Sequence, residues 1–233
     1  MVKIVISGAA GRMGKRIAEL ARKDTDLGVV AGVELKDNPG LKIVSDLNKI
    51  KDEYDCIIEF TTPKATLEHV KIAKERKKAI VIGTTGLSET QMSEIREASK
   101  TIPIVFSPNM SVGVNVLFDL IGKASKVLGK SYKVKIKEAH HVHKKDKPSG
   151  TAKLMANIVN EKTGSKNVPV QSVREGEIVG DHDIFFESDV DVLRISHSAK
   201  TRDIFVLGAL KAAKFVATKK NGLFSMKDVL EEL

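Results

Sequence analysis

The sequence predicts an α/β protein, in which a parallel sheet covered by helices is followed by an α+β domain with a mixed sheet. In the first half, short apolar strands such as Val2–Ser7 alternate with segments of helical periodicity. Strands without a polar face are typical of a parallel sheet that helices cover on both sides. After about residue 110 the pattern changes, and Tyr132–Ala139 alternates Lys with Val and Ile. Such alternation indicates a sheet with one solvent-exposed face, either antiparallel or mixed.

The first half is predicted to contain five strands separated by helices. The predicted strands are Val2–Ser7, Val29–Glu34, Asp55–Phe60, Ala79–Gly83 and Pro103–Phe106. The predicted helices cover Arg12–Lys23, a segment that begins at Thr62-Pro63 and a segment that ends at Lys100. Proline is tolerated in the first turn of a helix, and Ser88 with Gln91 forms a capping box for the third helix.

The second half is predicted to combine longer helices with further strands. The predicted helices are Val112–Leu128, Gly150–Lys162 and Ala209–Thr218, and a capped turn begins at Ser225. The glycines that follow the first two helices are typical helix ends. Apolar runs at 168–174, 184–189, 192–197 and 203–207 are predicted to be strands of the same sheet as Tyr132–Ala139.

The composition argues against several classes of protein. The chain has 39 basic and 30 acidic side chains, a net charge of +9, but its cations are spread along the whole length. This spread favours a solvated surface over a nucleic-acid site. The only cysteine, Cys56, lies in an apolar run and is predicted to be buried and structural. No stretch approaches the roughly 18 apolar residues that span a membrane, so we expect a cytoplasmic enzyme with no membrane or nucleic-acid partner.

A glycine loop connects the first strand to the first helix. Its sequence is Gly8-Ala9-Ala10-Gly11-Arg12-Met13-Gly14. The three glycines permit a tight turn, close approach of the backbone to a pyrophosphate and close packing of helix on strand. The glycines alone are a weak signal, because their spacing differs from the commoner G-x-G-x-x-G. However, Glu34 ends the second strand twenty residues later, where a carboxylate binds the adenosine ribose. Together these features predict a Rossmann-type dinucleotide site.

The same residues leave the choice of cofactor open. The Glu34 carboxylate favours NADH, because it repels the 2′-phosphate of NADPH. Nearby cations, namely Arg12, Lys15 and Lys36, offset that repulsion. We therefore predict NADH and/or NADPH as the cofactor, with use of both as the working hypothesis.

Two further loops follow the fourth and fifth predicted strands directly. They are Gly83-Thr84-Thr85-Gly86 and Ser107-Pro108-Asn109-Met110. Ligands of open α/β sheets bind beyond the carboxyl ends of the strands, so these loops are predicted to line the nicotinamide pocket. The alternative is ordinary turn chemistry, for which Thr-Thr-Gly and Pro-Asn are also common.

The most unusual segment runs from Glu138 to Ala152. It holds three of the six histidines, His140, His141 and His143, followed at once by Lys144. Clustered imidazoles bind zinc, but the neighbouring ammonium groups oppose a cation and no ligand set is completed, so no metal is predicted.

The end of this segment has the features of an anion receptor. Ser149-Gly150-Thr151 opens a helix whose first N–H groups lack internal partners and attract anions. Lys144 adds a charge, and His140 or His141 can exchange protons near neutral pH. An exposed basic loop is the alternative interpretation.

The sequence resembles the 4-hydroxy-tetrahydrodipicolinate reductase family, also called dihydrodipicolinate reductases, of lysine and diaminopimelate biosynthesis. The resemblance covers essentially the whole chain. It rests on the glycine loop, on Gly83–Gly86, on Asn109–Asn115, on His140–Ala152, on Glu175–His182, and on Ile195–His197, Arg202 and Gly208-Ala209.

The resemblance implies an NAD(P)H-dependent reduction of a small dianionic substrate. It assigns His140 as proton donor and acceptor, Lys144 as proton donor, and His141, Ser149, Gly150 and Thr151 to the binding of substrate. The cofactor is then held by Gly8–Met13, Glu34, Gly83–Thr85 and Ser107–Met110. It further implies a dinucleotide-binding domain of residues 1–111 and 202–233, and a domain of residues 112–201 that binds substrate and builds a homotetramer.

Two positions depart from the family pattern. Leu35 stands where many members have Arg, which weakens a preference for NADPH, and Met110 replaces a frequent Phe beside the cofactor. Two other functions fit the sequence less well, namely a semialdehyde or homoserine-type dehydrogenase and a dinucleotide-sensing DNA-binding regulator. An acylating semialdehyde dehydrogenase needs a nucleophilic cysteine that Cys56 does not supply. A DNA-binding regulator needs a recognition helix that is not visible.

Overall fold

The computed structural model describes residues 1–232 and separates them into two units. The first comprises Met1–Ser111 and the residues from Phe205 onward, and the second comprises Val112–Ile204. Among the described residues, no helix has both the length and the apolar composition that crossing a bilayer requires.

The first unit is built on a sheet of seven parallel strands. They are β1 (Val2–Ser7), β2 (Leu27–Val33), β3 (Ile43–Val44), β4 (Cys56–Glu59), β5 (Ala79–Ile82), β6 (Pro103–Phe106) and β11 (Gly222–Phe224). Their order is β11-β6-β5-β4-β1-β2-β3. Every residue of β4 and β5 is buried, because these strands are covered on both faces. The structure therefore confirms the predicted parallel sheet.

Five helices accompany this sheet, and their starts follow local side-chain chemistry. They are α1 (Arg12–Ala21), α2 (Pro63–Glu75), α3 (Glu89–Ser99), α6 (Asp203–Val216) and α7 (Met226–Glu231). Thr62 Oγ1 accepts a hydrogen bond from the Ala65 N–H at the start of α2. The predicted capping box of Ser88 and Gln91 is present at the start of α3.

The predicted strand at 203–207 is wrong, because these residues begin α6. A short apolar run cannot be told from a buried helix segment by periodicity alone. Gly208 lies inside the helix, although glycine weakens helices. The reason is steric, since a Cβ atom at Gly208 would lie 1.7 Å from the carbonyl oxygen of Met110.

Two strands of the first sheet were not predicted. β3 has two residues and β11 has three, so neither is long enough to show a periodic pattern. Pro103–Phe106 is consequently not the last strand of its sheet, because β11 pairs with β6 in parallel register.

The second unit contains a four-stranded mixed sheet. Its strands are β7 (Lys133–His140), β8 (Val170–Arg174), β9 (Asp181–Glu187) and β10 (Val192–Ser198), in the order β10-β9-β7-β8. Only the β7–β8 pair is parallel. Two helices, α4 (Val112–Leu128) and α5 (Gly150–Thr163), form an apolar core with this sheet. This arrangement confirms the prediction of a mixed sheet.

The contact at Gly208 predicts a large effect from one methyl group. Gly208→Ala should lower the free energy of unfolding by about 1–3 kcal/mol, because α6 must move away from Met110. Gly122→Ala in α4 is the matched control, since its Cβ would meet only Ile158 Cγ2 at 3.7 Å. Because alanine has a higher helix propensity than glycine, Gly122→Ala should raise the free energy of unfolding by up to about 1 kcal/mol. Thermal unfolding of both variants checks this, and equal midpoints would contradict it.

Candidate active site

The glycine loop of the first unit is shaped by contacts that exclude side chains. Gly8 adopts a left-handed backbone conformation with φ of +80°. The N–H groups of Gly8 and Ala9 both donate to the carbonyl of Val33, at 3.0 and 3.2 Å. A Cβ atom at Gly14 would lie 2.1 Å from the Gly8 carbonyl oxygen. These glycines therefore allow α1 to begin directly against the end of β1.

The start of α1 has the properties of a phosphate-binding site. Gly11 is the N-cap residue and contributes no side-chain hydrogen bond to the first turn, which leaves amide groups for an anion. Glu34 follows β2, and its carboxylate accepts the Ala10 N–H at 2.7 Å. The carboxylate expected to bind ribose thus lies directly beside the loop. Arg12 is exposed and Met13 is half-buried at the start of α1.

The two other predicted cofactor loops follow β5 and β6. Thr84 Oγ1 accepts the Thr61 N–H at 3.1 Å, and Ser107 Oγ donates to the Asn109 carbonyl at 2.7 Å. Met110 is buried. Because the strands are parallel, these loops and the glycine loop lie at the same edge of the sheet.

The remaining cofactor residues share these loops. Thr85 and Pro108 are exposed. A Cβ atom at Gly83 would lie 2.3 Å from the Phe60 ring, so any other residue here would have to displace that ring. The cofactor residues predicted from the sequence therefore lie in loops at one edge of the first unit's sheet, where ligands of open α/β sheets bind, and we call this edge the crevice.

In the second unit, His140 is paired with a buried carboxylate. Its Nδ1 atom lies 2.5 Å from Glu138 Oε2, and Glu138 is fully buried. Arg174 lies 2.9 Å from the other oxygen of Glu138. Burial alone raises the pKa of Glu138, but hydrogen bonds from Arg174 and its neighbours keep the pKa below its usual value. Glu138 is therefore a carboxylate, and the adjacent Nδ1 of His140 carries a proton.

The other nitrogen of His140 packs close to a glycine. A Cβ atom at Gly180 would lie only 3.0 Å from His140 Nε2. Burial lowers the pKa of His140, while the hydrogen bond and charge of Glu138 raise it. The net pKa is below the usual value, so a neutral ring with a free Nε2 is the main form near neutral pH.

A second buried histidine packs against this pair. The rings of His182 and His140 are 5.2 Å apart at 77°, and His182 Nε2 lies 3.4 Å from Ser149 Oγ. Glu138, His140 and His182 are close enough to be considered as metal ligands. However, the Glu138 carboxylate already forms an ion pair with Arg174, and a guanidinium beside a carboxylate opposes the binding of a second cation.

The remaining predicted substrate residues lie between β7 and the start of α5. Lys144 Nζ forms an ion pair with Asp146 at 2.9 Å, and His141 Nε2 lies 3.3 Å from Arg202. Ser149 is the N-cap of α5 and accepts the Ala152 N–H at 3.2 Å. Gly150 and Thr151 form the first turn, and no Cβ contact restricts Gly150.

Sequence reasoning gave no role to three members of this cluster, namely Glu138, Arg174 and His182. One signal was available, because Glu138 precedes His140 by two residues on a strand and so shares its face. Arg174 pairs with His140 in the β7–β8 register, and His182 pairs with Glu138 in the β7–β9 register. Neither register can be read from the sequence.

Two family models together match almost the whole chain. The model described as dihydrodipicolinate reductase, N-terminus, matches residues 2–110, and the one described as dihydrodipicolinate reductase, C-terminus, matches residues 113–230.

Curated relatives carry the name of one enzyme. The 4-hydroxy-tetrahydrodipicolinate reductase of Caldanaerobacter subterraneus subsp. tengcongensis is 41% identical over 250 residues, which cover 100% of this chain and 99% of the relative. The enzyme of the same name from Aquifex aeolicus is 40% identical over 261 residues and 98% of each chain. The structure of dipicolinate-bound dihydrodipicolinate reductase from Paenisporosarcina sp. TG-14 has the same fold, with a TM-score of 0.85, 21% identity, and coverage of 98% and 99%.

The burial of His182 predicts a pH dependence of stability. Burial lowers its pKa from 6.5 to about 4, so the unfolded chain takes up a proton that the folded chain does not. Stability should therefore fall by up to about 3 kcal/mol as the pH falls from about 6.5 to about 4. In His182→Gln the free energy of unfolding, measured as a function of pH, should not show the decrease that His182 causes. His143 is exposed, so His143→Gln is the control and should keep the wild-type dependence of the free energy of unfolding on pH. If His182→Gln also kept this dependence, His182 would not be its source.

Proposed function

The chain belongs to the dihydrodipicolinate reductase family, and from this premise we propose how its residues reduce 4-hydroxy-tetrahydrodipicolinate to tetrahydrodipicolinate, with loss of water. The family confirms the resemblance found in the sequence and makes the chain a nicotinamide-dependent oxidoreductase of the diaminopimelate and lysine pathway. The structural observation that best supports the residue roles is the pairing of His140 with Glu138 at the end of β7, ahead of the Ser149-capped start of α5.

The substrate has two carboxylates, and the segment from His141 to Thr151 offers the groups that bind them. The first amides of α5, at Gly150 and Thr151, favour a negative charge. Ser149 holds this first turn by capping it. Lys144 and His141 supply further donors, and charge-assisted bonds of this kind both orient and bind a carboxylate. Fixing a dianion in this way sets its position for reaction.

Loss of the 4-hydroxyl group and a proton as water turns the substrate into an α,β-unsaturated imine, to which a bound reduced nicotinamide would supply a hydride. The part of this chain is to hold and move the proton that completes the reduction. His140 takes up and releases that proton at Nε2, because Nδ1 is committed to Glu138. The Glu138 carboxylate stabilises the imidazolium when it forms. Lys144 acts as the second proton donor.

The roles of the two segments follow from where these residues lie. We assign cofactor binding to residues 1–111 and 202–233, and substrate binding to residues 112–201. We also assign a homotetramer to the second segment. It is supported by exposed apolar side chains on and next to β10, such as Val190 and Val192, which are 92% and 56% exposed, because exposed apolar clusters mark interaction surfaces. A cytoplasmic location is part of the proposal and rests on the biosynthetic role of the family.

Substitution of His140 tests the reaction and the role of this residue together. Wild-type protein should oxidise NADH in the presence of the pyruvate and aspartate-semialdehyde condensation product, with inhibition by pyridine-2,6-dicarboxylate. His140→Gln should lower kcat about 100-fold or more with a smaller change in KM. His143→Gln, on the same loop but exposed, should keep the wild-type kcat. An unchanged kcat in His140→Gln would remove this residue from the chemistry.

Leu35 predicts that the cofactor preference can be changed by one substitution. Its side chain is 94% exposed directly after Glu34, where it offers no charge to a 2′-phosphate. We propose that the wild type uses both NADH and NADPH. Leu35→Arg should tighten NADPH binding about tenfold by a charge-assisted bond and leave NADH binding within about twofold. Titration with both cofactors measures this, with Leu41→Arg, another exposed leucine, as the control. A hundredfold wild-type preference for either cofactor would exclude dual use.

A further inference from the structure

A fully buried carboxylate lies below the cofactor crevice and has no place in the proposed chemistry. Glu59 ends β4 and has no exposed surface. Two donors bond to it, the hydroxyl of Thr61 and Nδ1 of His69 at 2.5 Å, and the hydroxyl oxygen of Thr66 lies 3.5 Å away. Thr61 and His69 point their protons at the Glu59 oxygens, whereas the single hydroxyl proton of Thr66 is given to the nearer Thr84 Oγ1, 3.0 Å away.

This cluster, formed by Glu59, Thr61, Thr66, His69 and Thr84, connects the ends of neighbouring strands. Thr66 Oγ1 lies 3.0 Å from Thr84 Oγ1, in the loop after β5. The Thr61 N–H, in the loop after β4, donates to the same Thr84 oxygen. His69 Nδ1 also lies 3.0 Å from the hydroxyl of the last residue of β1. One buried network thus joins β1, β4 and β5 where they open into the crevice.

Stability alone gives no reason for a carboxylate at this position. Burying an ionised group costs several kcal/mol, and an apolar replacement of similar size is often neutral or stabilising. The other residues of β4 are apolar and buried, whereas the Glu59 side chain faces the polar side chains of Thr61, Thr66 and His69. A charge kept there is expected to order the protons of the groups around it.

We propose that Glu59, held by His69, is a positioning residue for the nicotinamide end of the cofactor and acts on Thr84 through Thr61 and Thr66. The inference rests on the proposed function, because it takes the crevice to be the cofactor site. The Thr84 oxygen accepts one bond from Thr66 and one from Thr61. Its own proton is therefore left to donate to an acceptor in the crevice, and the carboxamide oxygen of nicotinamide is such an acceptor.

The position of the cluster separates it from the adenosine end. The strands run in the order β5-β4-β1-β2 across this part of the sheet. Glu34 follows β2, on one side of the glycine loop, whereas Thr61 and Thr84 follow β4 and β5 on the other. Loss of Glu59 should consequently affect ligands that carry a nicotinamide ring more than ligands that lack one.

The test compares binding of NADH with binding of ADP-ribose, which has the adenosine and pyrophosphate but no nicotinamide. Glu59→Gln keeps the shape of the side chain but replaces one acceptor oxygen by a donor. It should weaken NADH binding about tenfold by titration calorimetry and leave ADP-ribose binding within about twofold. Asp24→Asn is the matched control: it removes the carboxylate of an ion pair with Lys214, ahead of the amino end of β2. Both ligands should bind this control as they bind the wild type.

A pair of variants at His69 keeps the test valid if Glu59→Gln does not fold. His69→Asn retains an N–H donor near the position of Nδ1 and should keep wild-type NADH affinity. His69→Leu lacks the donor and should lose NADH affinity as Glu59→Gln does. Equal loss of NADH and ADP-ribose binding, or equal behaviour of the two His69 variants, would overturn the role of Glu59. Absence of NADH binding by the wild type would instead overturn the proposed function.

Discussion

Parallel pairing of the strands is the constraint on which the first unit depends. Because β1 pairs in parallel with both β2 and β4, and β4 with β5, the carboxyl ends of these strands all open at one edge. Side chains and loops that are 24 or more residues apart in sequence therefore meet there, as in the bond from Ala10 to Glu34. The same geometry places Glu59 beneath the crevice. No single segment of the chain contains this site.

The second unit is organised by the electrostatics of one buried carboxylate. Glu138 has no contact with solvent, so its charge must be balanced by protein groups. Arg174 and His140 supply this balance from β8 and β7, and His182 fills the space beside them from β9. Removing any one partner would leave the others with unmatched polar atoms. For this reason His140 and the three residues around it are better regarded as one interdependent polar cluster.

Features determined by local chemistry could be predicted from the sequence, and those determined by register could not. The glycine loop was predicted because close contacts of the kind seen at Gly14 force a residue choice visible in the sequence. The capping box at Ser88 is visible for the same reason. In contrast, the neighbourhood of His140 depends on how β7 aligns with β8 and β9, which no local pattern encodes. The error at 203–207 arose because a run of five mostly apolar residues does not reveal whether it belongs to a strand or to a buried helix.

The ion pair between Lys144 and Asp146 has a consequence for the choice of ligand. The lysine expected to meet the substrate already has a counterion, at 2.9 Å and half exposed, and a pair of this type contributes at most about 1 kcal/mol. A ligand carboxylate must therefore displace the Asp146 carboxylate from Lys144, and this displacement costs little free energy. A monovalent buffer anion that replaces Asp146 at Lys144 forms one ion pair at the expense of another, so its net binding free energy is small. A dianion that also binds the start of α5 forms further hydrogen bonds, and we expect these to outweigh the loss of the Lys144–Asp146 pair. With the proposed role of Lys144 in substrate binding, we expect Asp146 to disfavour simple anions relative to such a dianion.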